Sequence, residues 1–114
     1  MEYDLEDRTA IFAENVIDFV RSLPKEVVNQ VLIKQVVRSA ASIGANYMEA
    51  VQSSSKRDFR NKVRISGKEA NETKHWLRLI AKASPTHKSE SGKLWKEVHE
   101  LTLIFGKIFR SSAE

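Results

Sequence analysis

Glu72-Thr-Lys-His75 sets a carboxylate and an imidazole three residues apart, the Glu-x-x-His spacing by which di-iron carboxylate bundles hold metal. Such a centre needs two of these motifs and two further glutamates, all projecting inward. Here the motif occurs once, because neither His87 nor His99 has a glutamate three residues before it. On a helical projection His75 also falls among lysines and arginines, away from the apolar side. The 114 residues contain no cysteine, which excludes disulfides, thiolate metal sites and cysteine nucleophiles. No Gly-rich phosphate loop or nucleophile motif is present either. No metal, no cofactor and no enzymatic activity are expected.

Charge carries a sharper signal. Residues 56–82 hold nine Lys/Arg against three acids, Asp58, Glu69 and Glu72, a formal +6, whereas the whole chain is +4. At 100° per residue eight of the nine cations fall in a sector of about 120°, with Lys62 alone outside it and the acids on the other side. A one-signed stripe about 40 Å long suits the phosphates of a polyanion. The expected phosphate contacts are Arg57, Arg60, Arg64, Lys68, Lys74, Arg78 and Lys82. Few aromatic residues interleave with them, so stacking on splayed bases is not expected.

The elements that position these residues follow from punctuation and periodicity. Four glycines and two prolines are too few turns for a many-stranded β fold. Pro24, the run Ser53-Ser54-Ser55, and Ser84-Pro85 divide the chain into four segments. Apolar residues recur within them at helical steps: Phe12, Val16, Phe19 and Leu23 in the first, and Leu94, Val98, Leu101, Phe105 and Ile108 in the last. Ser55-Lys-Arg-Asp58 reads as a capping-box-like start, with Asp58 near the positive end of its helix. The spacing predicts helices over about 6–22, 26–52, 55–83 and 91–110. Short connections make successive helices antiparallel neighbours, so the fold expected is all-α, a single up-down-up-down four-helix bundle. No apolar run approaches the ~20 residues of a membrane-spanning helix. The acidic start MEYDLEDR is unlike a signal peptide, and a cytoplasmic location is expected.

The second helix is apolar nearly all round, from Val28 to Val51, which implies burial on more sides than one small bundle supplies. A homo-oligomer is therefore expected. A polar line, Gln35, Ser39, Ser42, Asn46, Glu49 and Ser53, interrupts this helix at alternating steps of four and three. Its expected partner is the third helix, through Ser66, Glu69, Thr73 and Trp76, with Gly44 giving the neighbour room. A hairpin turning near residues 53–54 brings Arg38 to Glu69 and Gln35 to Glu72. A buried Arg–carboxylate pair there fixes register more than it adds stability.

Arg38-Ser-Ala-Ala-Ser-Ile-Gly-Ala-Asn-Tyr-Met-Glu-Ala50 and Lys68-Glu-Ala-Asn-Glu-Thr-Lys-His-Trp-Leu-Arg-Leu-Ile80 resemble the two signatures of the bacterial four helix bundle proteins known as 23S ribosomal RNA intervening-sequence proteins. Leu23-Pro24 and Asp58-Phe59 fit as well, and the resemblance spans nearly the whole chain. The matching polar positions are Arg38, Ser39, Ser42, Asn46 and Glu49 in the first block and Glu69 and Glu72 in the second, with Trp76 and Leu77 apolar. Ala50 departs from the glycine many members carry. The resemblance implies an up-down bundle assembling as a ring-like homopentamer. Related bundles that accompany diversity-generating retroelements imply binding to nucleic acid and to a reverse transcriptase. The family name reflects gene location in some members and does not imply a ribosome component. The expected function is RNA or DNA binding through the third helix; the alternative is an oligomeric scaffold that docks an unidentified protein partner.

Overall fold

The computed structural model describes residues 4–113; the first three residues of the acidic N-terminal stretch lie outside it. Four helices carry the chain: α1 (Leu5–Arg21), α2 (Val27–Val51), α3 (Lys56–Ala83) and α4 (Lys88–Ser111). Each start has a local cause. The Asp4 carboxylate accepts the Asp7 N–H at 2.8 Å, the Glu26 carboxylate accepts from Asn29 at 2.6 Å, and the Ser55 hydroxyl accepts from Asp58 at 3.1 Å. Each bond satisfies a donor that the first turn leaves unpaired. α4 begins three residues before the expected 91, because Pro85–His87 form a 3₁₀ turn that feeds it directly. Proline suits such a start, since its missing N–H is one the first turn leaves unpaired anyway.

Each helix packs on two others, α1 and α3 both lying between α2 and α4. The directions alternate. Asn29 meets Ser84, Ser39 meets Thr73, and the Ile43 carbonyl meets Ser66, so partners descend α3 as they ascend α2. Along α3 and α4, the Leu77 carbonyl meets Ser91, Lys74 meets His99, and Arg60 meets Ser112. The fold is thus an all-α antiparallel four-helix bundle, 47 × 29 × 18 Å.

Phe12 and Val16 of α1, Val36 and Ile43 of α2, Val63 and Leu77 of α3, and Leu101 and Phe105 of α4 are essentially sealed from water. Each such side chain contributes about 1.5–3 kcal/mol relative to exposure. Among the described residues no buried side-chain polar atom lacks a partner. Asn29, which the sequence reading passed over, ties three elements together: its amide donates to the Pro24 carbonyl at 2.9 Å and accepts from the Ser84 hydroxyl at 3.2 Å.

Where α1 meets α4, Arg8 grips Glu97 with two bonds of 2.8 and 2.9 Å and reaches Glu100 at 3.2 Å. The hydrogen bond with Glu97 is the chief cause of the raised pKa of its guanidinium. Gly44 serves α1 instead of α3. A Cβ there would lie 2.8 Å from the Thr9 hydroxyl oxygen, so glycine allows the two helices to approach.

Candidate functional site

The cationic stripe lies on the solvent side of α3, opposite its buried line Val63, Ser66, Ala70, Thr73, Leu77 and Ile80. Of the seven expected contacts, Arg57, Arg64, Lys68, Arg78 and Lys82 are exposed. Arg64 donates only along its own helix, to Asn61 at 3.1 Å. The other two, at the edge facing α4, are drawn into the groove between the helices. The Arg60 guanidinium stands 4.1 Å from the Phe109 ring centroid and donates to Ser112 at 3.2 Å and to the Phe109 carbonyl at 3.4 Å. The Lys74 ammonium lies 3.0 Å from His99 Nδ1 and 4.9 Å from the Trp95 ring centroid. Because an ammonium only donates, this contact assigns the acceptor role to His99 Nδ1.

Trp95 and His99 stack with centroids 5.1 Å apart and planes 13° apart. The stripe therefore has aromatic neighbours, contrary to the expectation from α3 alone. They come from α4, one turn apart and side by side with Lys74, a proximity that only the packing of two helices creates.

The acids of α3 do not cancel the stripe, because two of them face α2. Arg38 reaches Glu72 through a short hydrogen bond and Glu69 at 3.5 Å. Trp76 Nε1 also donates to Glu72 at 3.3 Å. The expected pairing is corrected in two respects. Gln35 does not meet Glu72 but accepts from Arg38 Nε at 3.4 Å. The Arg38 side chain is 47% exposed, so this is a surface fork over partly buried carboxylates and not a buried pair.

The rest of the polar line divides between interior and local bonds. Ser39 bonds Thr73 at 2.8 Å in the buried α2–α3 seam, where Ser66 donates to the Ile43 carbonyl at 2.9 Å. Ser42 and Asn46 instead turn back on their own helix, to the carbonyls of Arg38 and Ser42. That i−4 bonding is the usual recourse of short polar side chains in a helix. Glu49 is exposed and pairs with Lys62 at 2.9 Å, which explains why the one cation outside the sector is neutralised.

The Glu72–His75 motif does not converge on a centre. Glu72 is held by Arg38 and Trp76, while exposed His75 sets its ring edge-on to Trp76 at 5.0 Å. Among the described residues no group of three or more His, Cys, Asp or Glu side chains is placed to hold a metal. Among the same residues no helix is long and apolar enough to cross a membrane.

Fold and surface together define an antiparallel four-helix bundle whose third helix bears an outward face of one charge sign. The sequence matches the family described as 23S rRNA-intervening sequence protein over residues 2–107, and the chain belongs to that family. A similar solved structure is a protein of unknown function from the S23 ribosomal protein family of Bacteroides thetaiotaomicron VPI-5482. It is 34% identical, with 91% of this chain and 96% of that chain covered, at a TM-score of 0.81. No curated protein matches the sequence.

Proposed function

We propose that this protein is a non-enzymatic, homo-oligomeric bundle that binds RNA or DNA phosphates along α3. One observation carries the reading: Arg57, Arg64, Lys68, Arg78 and Lys82 are exposed on one helix face, while Glu69 and Glu72 are engaged by Arg38 on the opposite flank. An outward helix face ordinarily mixes charge signs and so attracts no polyanion at long range; here, among the described residues, those five cations have no acidic partner. Binding of this kind is sequence-independent and falls steeply with salt. The test is fluorescence anisotropy with long RNA and long duplex DNA from about 50 to 200 mM salt. Affinity should fall linearly on a log–log plot; no binding to either polymer at about 50 mM would sink the reading.

Self-association is supported by the outward face of α2, where Val27 and Val31 are 76% and 58% exposed and Met48 is 48% exposed. Ala41 and Ala45 lie between them and are also exposed. The family resemblance favours a pentamer. Repeated stripes would convert weak single-site contacts into avid binding on a long strand. Light scattering that returns about 13 kDa at micromolar protein would remove self-association, and a defined dimer would remove the pentamer alone. The second reading, a scaffold for another protein, rests on the same apolar surface together with Leu103 of α4, 60% exposed. Added salt separates the two, since an apolar dock responds weakly to it.

A further inference from the structure

At the end of the bundle where α3 passes into α4, a groove of about 850 Å³ opens between the two helices, within the ~300–1,000 Å³ of small-ligand clefts. Its charged lining residues are Arg78, Lys82 and Lys88, with no acid among the lining, and its apolar wall includes Pro85 and Trp95. Gly92 also lines it, and a Cβ there would project into open space, with nothing within 4 Å. Trp95 is 36% exposed, which alone means little. What sets it apart is its backing. His99 stacks against the ring and Lys74 stands over it, and neither lines the groove. The indole is thus braced by two side chains from outside the groove that it helps to line.

We propose that Trp95 is a stacking platform for an unpaired base of a single-stranded nucleic acid, with Arg78, Lys82 and Lys88 holding the phosphates beside that base. This rests on the reading of α3 as a phosphate-tracking face and adds that the strand is single. A flat π-surface ringed by cations matches a ligand that is both aromatic and anionic. An apolar peptide would bury three cations without counter-charge, and a duplex keeps its base faces stacked on one another. Position adds a further argument. Arg78 and Lys82 belong to the stripe itself, so a strand lying along α3 arrives at the groove without changing course. Base–aromatic stacking tolerates any sequence, which agrees with phosphate contacts that read none.

The test uses the full chain carrying Trp76→Phe, which leaves Trp95 as the sole tryptophan and fluorescent reporter. Four probes of equal length are compared at about 50 mM salt: oligo(U), oligo(dT), an abasic deoxyribose-phosphate strand, and a duplex. The base-bearing strands should quench Trp95 and bind more tightly than the abasic strand, by about 5- to 150-fold for each stacked base. Trp95→Leu should remove that advantage while leaving abasic-strand affinity unchanged, and Trp95→Phe should restore part of it. Circular dichroism establishes that both variants remain folded. A preference for oligo(U) over oligo(dT) would point to RNA as the strand bound. If base-bearing and abasic strands bind equally and Trp95 is not quenched, the platform is refuted while the phosphate-binding face survives. If no probe binds, both fall together. Quenching by an acidic, tyrosine-containing polypeptide but by no nucleic acid would overturn the proposal in favour of a protein ligand.

Discussion

Removing Arg64, Lys68 and Arg78 together tests the phosphate-binding face most directly. All three are exposed on the outward side of α3, and Arg64 would forfeit only its bond to Asn61. Each alanine should therefore change stability by no more than about 0.5 kcal/mol, so binding can be read without a folding defect. Each phosphate contact contributes ~0.7 to the slope of log affinity against log salt for a single strand and ~0.9 for a duplex. Three lost contacts flatten the slope by roughly 2 and 2.7 units respectively, from the same per-contact values. Over a fourfold rise in salt, from about 50 to 200 mM, the parent should lose about 20-fold more affinity than the variant on a single strand and about 40-fold more on a duplex. Anisotropy titrations with long RNA, at five salt concentrations, measure this directly.

Two controls sharpen the assay. Lys62→Ala should leave the slope unchanged, because that ammonium is engaged by Glu49 on the α2 side. Arg60→Ala should flatten the slope less than Arg64→Ala does and destabilise the fold more, by about 1 kcal/mol, since Arg60 packs over Phe109 and bonds Ser112. Parallel salt plots for the parent and the triple variant would refute the reasoning: the stripe would then be a solvated face and nothing more.

Gly44→Ala should destabilise the protein by about 1 kcal/mol despite alanine's better helix propensity, because the new methyl meets the stiff Thr9 side chain. Gly67→Ala, whose Cβ would only touch Phe105 at 3.5 Å, should stabilise it by about 0.5–1 kcal/mol; a Gly44→Ala variant that melts above the parent would overturn the α1–α2 close approach. Arg38→Ala should cost about 1–2 kcal/mol, below the ~3–5 of a truly buried pair, because the guanidinium is half-exposed although its loss leaves Glu69 and Glu72 as unrelieved neighbours. A double-mutant cycle should show the larger coupling to Glu72, and equal coupling to both would contradict the observed fork. Tyr47 has its phenol pKa raised, first by burial and then by Glu6 and Asp4. The folded state therefore holds that proton longer than the unfolded one, and stability present below about pH 10 should decline as pH rises through the folded value. Tyr47→Phe should blunt that alkaline decline in denaturant titrations, and an unchanged alkaline limb would argue against it.

The helices, the Ser55 cap of α3 and the grouping of cations on α3 were legible from the sequence because each is a local property. Apolar spacing at three and four residues, a serine before an apolar run, and charge at 100° intervals all follow from the geometry of a single helix. Even the approximate α2–α3 register could be read from the hairpin, because a short turn determines which residues face each other. What tertiary structure decided lies between helices. Whether Gly44 faces α1 or α3, whether Arg38 is sealed or half-exposed, and whether Arg60 and Lys74 point to solvent or fold against α4 all depend on rotation about the helix axis and on the neighbour's side chains. The Trp95–His99 platform beside Lys74 illustrates the point best. Lys74 lies more than twenty residues before Trp95 and His99 along the chain, and no helical period connects α3 to α4. Long side chains at the edge of a helix face take whichever partner the adjoining helix presents, and that partner exists only once the bundle has closed.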